Sequence, residues 1–257
     1  MEVRILGAHN TESGTSRLAG VLIDRVVALD AGSITSSLSI NEQIKLEAVL
    51  LTHQHYDHIR DIPGLGMNLY LNRKTIPVCA LPETLDMLSA YVLNGQVYPQ
   101  FTHRPADNPT LVFKPVRPGE GFNIGTYQIL PVTMPHSVPS VGYLITGIEK
   151  LSMFYTGDTG CGFASRIESL EPDILIVEVT APSRFGDSDW SNKHLTPAFL
   201  EQELILFRTA ADYIPRIICV HMYEALEEEI RTELSEVAAR LEADITPAYE
   251  GMILTVQ

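Results

Sequence analysis

Short apolar runs that stop at Gly, Pro, Asn or Asp recur along the whole chain. Residues 3–6, 20–23, 26–29 and 48–51 read as β-strands, so the first quarter reads as sheet. The same signal returns at 111–113, 127–132, 141–145, 153–155, 174–177, 217–220 and 252–256. Apolar residues spaced three and four apart predict helices over 82–93, 197–207 and 226–241. Thr196 followed by Pro197 is a helix start signal, which places His194 just before a helix. Residues 67–122 read as loops and a helix over one rim, where substrate choice would be set. No sequence repeat, long linker or low-complexity tract is evident. The pattern predicts an α/β fold in one domain over 1–257, with two sheets packed together and helices outside.

Composition sharpens this in three ways. With 45% hydrophobic and 19% charged residues, the chain can bury a core without disulfides. Its 18 Lys and Arg against 32 Asp and Glu give a formal charge of −14, which argues against a long nucleic acid as ligand. Cys79, Cys161 and Cys219 form no Cys-x-x-Cys pair, so a disulfide framework or zinc ribbon is not expected and a reducing compartment fits. The start, Met-Glu-Val-Arg-Ile-Leu-Gly, lacks a secretory pattern, and no stretch has the apolar length of a membrane span. A cytoplasmic protein with no membrane partner is expected, with a homodimer left open.

The chemistry is concentrated in Thr52-His53-Gln54-His55-Tyr56-Asp57-His58, directly after the strand at 48–51. If the strand geometry persists, alternation sends His53 and His55 the same way. One histidine in a polar turn means little. Three histidines and an aspartate within six positions point to a metal site, since imidazole and carboxylate together suit zinc, manganese or iron. His136, Asp158 and His221 each follow a strand candidate and can emerge at the same sheet edge. Seven residues can then be shared between two ions, with Asp158 between them. His9 and His103 have no partner spacing and read as ordinary loop residues.

At this point the chain resembles the metallo-β-lactamase superfamily, whose signature is His-x-His-x-Asp-His, then a histidine, a bridging aspartate and a last histidine. The resemblance spans nearly the whole chain and implies a four-layer αββα sandwich. It implies that His53, His55 and His136 hold one metal, that Asp57, His58 and His221 hold the other, and that Asp158 bridges them. Asp30, in Asp30-Ala31-Gly32, reads as structural and stays outside the site. Two divalent ions are implied, zinc first, with Mn2+ or Fe2+/Fe3+ as alternatives.

Within the superfamily, His136-Ser-Val-Pro139 and the following Gly142-Tyr143 are similar to a segment shared by ribonuclease Z and class II cyclic-nucleotide phosphodiesterases. His194-Leu-Thr196-Pro197 looks most like the class II enzymes. Tyr56 stands where the class II pattern usually has Leu, and Met222-Tyr223 stands where a Lys-Pro pair is common. The expected activity is hydrolysis of a small phosphodiester such as a cyclic nucleotide, with a metal-bridging hydroxide as nucleophile. Asp57, His194 and Glu178 are the expected catalytic residues, His194 as general acid oriented by Glu178. Arg60, Lys193 and Arg184 flank the site in sequence and receive no role.

Three other activities remain open. Ribonuclease Z-like processing of tRNA 3' ends is the near rival, but 21 residues between His136 and Asp158 leave no room for a long RNA-gripping arm. A lactonase or thioester hydrolase can use the same water-activating centre, because fold alone does not choose the chemistry. A metal-binding sensor without turnover is the fourth.

Overall fold

Strands buried on both faces read as unbroken apolar runs, and strands with one wet face alternate. Both kinds occur in this protein, seen in a computed structural model that describes residues 1–186 and 193–255. The chain first lays down β1 (Glu2–Gly7), β2 (Gly20–Ile23), β3 (Val27–Leu29), β4 (Ala48–Leu50), β5 (Ile76–Ala80) and β6 (Leu111–Pro115). It then forms β7 (Phe122–Ile124), β8 (Tyr127–Met134), β9 (Ser140–Thr146), β10 (Ser152–Tyr155), β11 (Ile174–Glu178), β12 (Arg216–Val220) and β13 (Ile245–Pro247). Finally β14 (Ile253–Thr255) returns to pair with β1, giving sheets ordered β14-β1-β2-β3-β4-β5-β6 and β13-β12-β11-β10-β9-β8-β7.

Each sheet shows three antiparallel pairings followed by three parallel ones, from β14 to β6 in the first and from β7 to β13 in the second. This internal repeat of architecture has no visible counterpart in the sequence. It matters for function because β3, β4, β8, β10, β11 and β12 all end at one common edge.

Three apolar layers hold the sheets and helices together. Ile5, Val21, Leu29 and Leu50 of the first sheet meet Ile129, Tyr143, Ile176 and Ile218 of the second. Helix Ile62–Leu71 covers the outer face of the first sheet through Ile62, Leu65 and Leu69, against Val49 and Val78. Helices Pro197–Ala211 and Glu227–Leu241 cover the second through Leu200, Leu204, Phe207, Ile230, Leu234 and Val237. Burying one such side chain is worth about 1.5–3 kcal/mol. The result is the αββα sandwich expected from the sequence.

Four expectations need correction. The first quarter is not sheet alone, since short helices lie at Ile34–Ser37, Ile40–Gln43 and Tyr56–Ile59. Residues 67–122 contribute β5 to the first sheet in addition to the strand expected at 111–113, which forms β6. Helix Ile62–Leu71 escapes periodicity because it contains Pro63, Gly64 and Gly66. Gly66 is needed for packing, as a Cβ there would lie 2.5 Å from the Phe101 ring. The helix over 82–93 is α-helical only to Met87 and continues as a π-helical turn over Leu88–Val92. The final strand spans Ile253–Thr255, and residue 256 lies outside the described residues.

Candidate metal centre

The His-rich turn does not continue as a strand. β4 ends at Leu50, Leu51 donates its amide to Cys79 O at 2.9 Å, and His55 becomes the N-cap of helix Tyr56–Ile59. His55 still has extended backbone, φ −64° and ψ 148°, and the chain turns into the helix only after it. The turn rests on Asp30-Ala31-Gly32, where Ala31 N donates to His58 O at 2.7 Å. Gly32 is required by the close approach, since a Cβ would fall 2.1 Å from Asp57 O.

All seven residues expected to surround the metals come together. His53, His55, His136 and Asp158 form one group able to hold an ion, and Asp57, His58 and His221 form another. Asp158 turns one oxygen to each group. Its Oδ2 lies 3.7 Å from His53 Nε2 and 3.8 Å from His136 Nε2, while Oδ1 lies 3.1 Å from His58 Nε2 and 3.3 Å from His221 Nε2. His221 Nε2 also approaches Asp57 Oδ2 at 3.1 Å, and His55 Nδ1 approaches His136 Nε2 at 3.2 Å.

The fit to metal ions is tested by buried atoms that lack a well-formed hydrogen bond. His53 Nε2, His58 Nε2 and Asp158 Oδ1 are buried without a satisfactory hydrogen bond, although His58 Nε2 and Asp158 Oδ1 are within 3.1 Å. Orphaned polar atoms inside a core are costly. Three in one cluster, contributed by imidazole and carboxylate, have the chemistry of a divalent-cation site.

The remaining ring nitrogens are held from behind, which fixes the imidazoles. His58 Nδ1 donates to Asp30 Oδ2 at 2.7 Å. Thr52 Oγ1 donates to the same carboxylate at 3.0 Å, leaving its lone pair for His53 Nδ1, also at 3.0 Å. Thr180 Oγ1 donates to Glu178 Oε2 at 2.6 Å and accepts from His221 Nδ1 at 2.9 Å. His136 Nδ1 donates to the Lys193 carbonyl at 2.8 Å. In all four rings Nε2 is left to face the cluster, whereas His55 presents Nδ1.

Charge separates the two groups. Burial, together with neighbouring imidazoles, lowers the pKa of His53 well below its ordinary value, and burial also lowers His55 and His136. A neutral imidazole is the form that binds a metal. Burial opposes the charged form of His58 too, but Asp158 and Asp30 outweigh it and raise its pKa well above the usual value. Burial likewise opposes ionisation of Asp57, yet the His221 hydrogen bond and the His58 charge pull it down to about 2. Asp158 stays well below the carboxylate range because His221, His58 and His53 surround it.

His194 stands beside this cluster, 3.8 Å from Asp158 Oδ2 through Nδ1. That nitrogen donates to Glu178 Oε1 at 2.8 Å. Burial lowers the pKa of His194, but the Glu178 charge and hydrogen bond reverse the effect and push it up to about 9. Thr196, two residues on, caps helix Pro197–Ala211 by accepting from Phe199 N, as the start signal predicted. Glu178 is wholly buried and also accepts from Thr159 N and Leu195 N.

A cavity of about 910 Å³ opens over the centre, with Asn10, Thr11, Glu12, Tyr56, Asp57, Lys193 and His194 in its lining. Arg60 also lines it, paired with Glu12 and Asp61. Arg184 is not part of this lining and pairs with Glu229. Sequence reasoning missed Asp30, Thr52 and Thr180 as supports of the imidazoles. It also misread His9, which is buried between Glu250 and Glu227. Only the strand-end position of Asp30 was a signal; the threonines carried none. Asp30 and His221 share a left-handed backbone, φ 57° and 67°, a strained state for residues other than glycine that tends to cluster at working sites.

A family model described as beta-lactamase superfamily domain matches residues 21–222. A probable 3',5'-cyclic-nucleotide phosphodiesterase of Yersinia pestis is 27% identical over 180 residues, covering 62% of this chain and 50% of that protein. The chain thus matches about half the length of that relative. Among solved structures, unliganded yeast PDE1 superposes with a TM-score of 0.82 at 18% identity, covering 98% of both chains. The metallo-beta-lactamase fold protein YhfI from Bacillus subtilis reaches 0.76 at 19% identity, again over 98% of both. At those identities the structures establish the fold alone.

Proposed function

Because the chain belongs to the beta-lactamase superfamily, we propose that it is a two-metal phosphodiesterase acting on a small phosphodiester such as a cyclic nucleotide. The observation that carries this reading is the His194–Glu178 pair, an imidazole whose Nδ1 lies 2.8 Å from Glu178 Oε1 and 3.8 Å from the carboxylate shared by both groups. An alkoxide leaving group needs a proton, and an acid with a raised pKa keeps one available at neutral pH. The Yersinia relative's description as a cyclic-nucleotide phosphodiesterase supports the same choice. So does the segment between His136 and Asp158, most of which is spent on β9 and β10, leaving no RNA-gripping arm there.

His53, His55 and His136 would hold one ion, Asp57, His58 and His221 the other, with Asp158 shared. Zinc is our first assignment for this imidazole and carboxylate set, ahead of manganese and iron. Divalent ions there supply Lewis-acid charge and activate water for attack. The protein's own part is to keep the imidazoles fixed from behind, to hold Asp158 and Asp57 ionised, and to deliver a proton from His194 to the departing oxygen. Glu178 accepts from Nδ1 and stabilises the imidazolium, leaving Nε2 to donate, and Lys193 adds a positive charge to the cavity wall facing an anionic substrate.

The test is a substrate panel on protein whose metal content has been measured. Hydrolysis of bis-p-nitrophenyl phosphate and of a 3',5'-cyclic nucleotide is expected; faster turnover of lactones or thioesters than of either would overturn the reading. His194→Ala should lower kcat on the cyclic nucleotide by about 10²–10⁴ and cost much less on a p-nitrophenyl ester, whose leaving group needs no proton. Equal loss on both would remove the acid role.

A further inference from the structure

The short turn of helix that carries Asp57 and His58 also carries Tyr56, and the two kinds of side chain face different surroundings. His58 is buried in the cluster, whereas Tyr56 is 71% exposed and lines the cavity over it. Its ring makes no aromatic contact and its hydroxyl no hydrogen bond among the described residues. A lone exposed aromatic usually needs no explanation. This one is the first residue of a helix, next in sequence to Asp57, and it borders a cavity of about 910 Å³, far more space than a phosphodiester group needs. The obvious charged alternative one turn later is already engaged: Arg60 is paired with Glu12 and Asp61. What remains for the unreacted part of a substrate on this wall is an uncharged π-face.

We propose that Tyr56 is a substrate-binding residue that stacks on a planar aromatic group attached to the reacting phosphodiester, so that nucleoside or aryl diesters are preferred over alkyl ones of the same reactivity. The inference deepens the phosphodiester reading and rests on it. Stacking tolerates any base, because every base presents a π-face, and the offset geometry needs only one open side of the ring. A leucine in this position would offer apolar surface but no such face. Specificity for the aromatic half of the substrate therefore comes from the same turn that supplies the second-group residues, and any movement of the turn would couple the two.

The test compares phenyl p-nitrophenyl phosphate with methyl p-nitrophenyl phosphate, which release the same leaving group. The wild type should favour the phenyl ester, and Tyr56→Ala should reduce the phenyl-to-methyl ratio of kcat/KM about tenfold. Tyr56→Phe should keep the ratio. A ratio unchanged in Tyr56→Ala, or lost equally in Tyr56→Phe, overturns the proposal; Tyr56→Leu serves as a second truncation should the alanine variant fold poorly. Calorimetry on the metal-loaded protein supplies an independent arm, with AMP expected to bind about tenfold tighter than ribose 5-phosphate and that advantage lost in Tyr56→Ala. If neither diester is cleaved by the wild type, the phosphodiesterase reading fails while the binding arm still decides the stacking. Equal binding of AMP and ribose 5-phosphate by the wild type overturns it.

Discussion

Asp30, just past the end of β3, and Glu178, at the end of β11, are both wholly buried, and each steadies two imidazoles, one directly and one through a threonine hydroxyl. In the first sheet the direct partner is His58 and the relayed one, through Thr52, is His53. In the second, Glu178 holds His194 directly and His221 through Thr180. The threonines occupy matching places, two residues past the ends of β4 and β11, which are equivalent strands in the repeated pairing order. The outcomes differ because of what the far side of each directly held ring meets. His58 is sealed in and turns an orphaned Nε2 to the cluster, whereas the His194 side chain is 21% exposed and borders the cavity. Under the proposed function, one carboxylate would fix a metal ligand and the other would support a proton donor.

Breaking the first arm should have the largest effect. Asp30→Ala removes the counter-charge from buried His58 and takes acceptors from Thr52 and Tyr155, so a loss of about 3–5 kcal/mol is expected in chemical denaturation. Affinity for one of the two metals should fall about 10–100-fold, measured by competition with a chelator. Glu178→Gln should be the reverse case: metal content largely retained, but kcat on an alkyl or cyclic diester lowered on the order of 10²-fold. Equal metal loss in both variants would dissolve the distinction.

The pH profile sharpens it further. With its pKa pushed up to about 9, His194 loses its proton only in alkaline solution, so this acid should add an alkaline limb to turnover of a poor leaving group. Bound cations draw that limb below 9, and Glu178→Gln should move it lower still. The same sign governs stability: the raised pKa contributes fully below the unfolded value near 6.5 and is lost as pH rises through the folded one.

His9 gives a smaller comparison away from the centre. Burial lowers its pKa, but Glu250 at 2.6 Å and Glu227 at 3.2 Å raise it above the ordinary value. The pair ties the loop after β1 to the turn before β14. Glu250→Gln should cost about 1–3 kcal/mol near pH 6, and the difference from wild type should shrink as alkaline pH removes the His9 proton. Thermal melts across pH 6–9 measure it.

The legibility of these parts followed their local density. His53, His55, Asp57 and His58 announced themselves because the end of β4 delivers all four within one turn. His136, Asp158 and His221 come singly from β8, β10 and β12, and were found only by being read with the first group. β5 was missed since Pro77 interrupts its run of apolar residues, and helix Ile62–Leu71 was missed since two glycines erase its period. Thr52 and Thr180 could not be picked out at all, because a threonine beside a ligand has no composition or spacing of its own.

Apolar runs, their periods and one dense polar turn were enough to determine the layered α/β architecture and the seven residues that gather at its edge. Those features are short-range, written in neighbouring side chains that share one strand or one turn. Tertiary structure alone decided which nitrogen each ring turns inward, that Asp30 belongs to the site, and that His9 is buried between two carboxylates. These depend on contacts across 28, 125 and 241 positions of chain, from Asp30 to His58 and to Tyr155 and from His9 to Glu250. The first and last join neighbouring strand ends of the first sheet and the second crosses between the sheets, so all depend on how the strands are assembled, which no local pattern encodes.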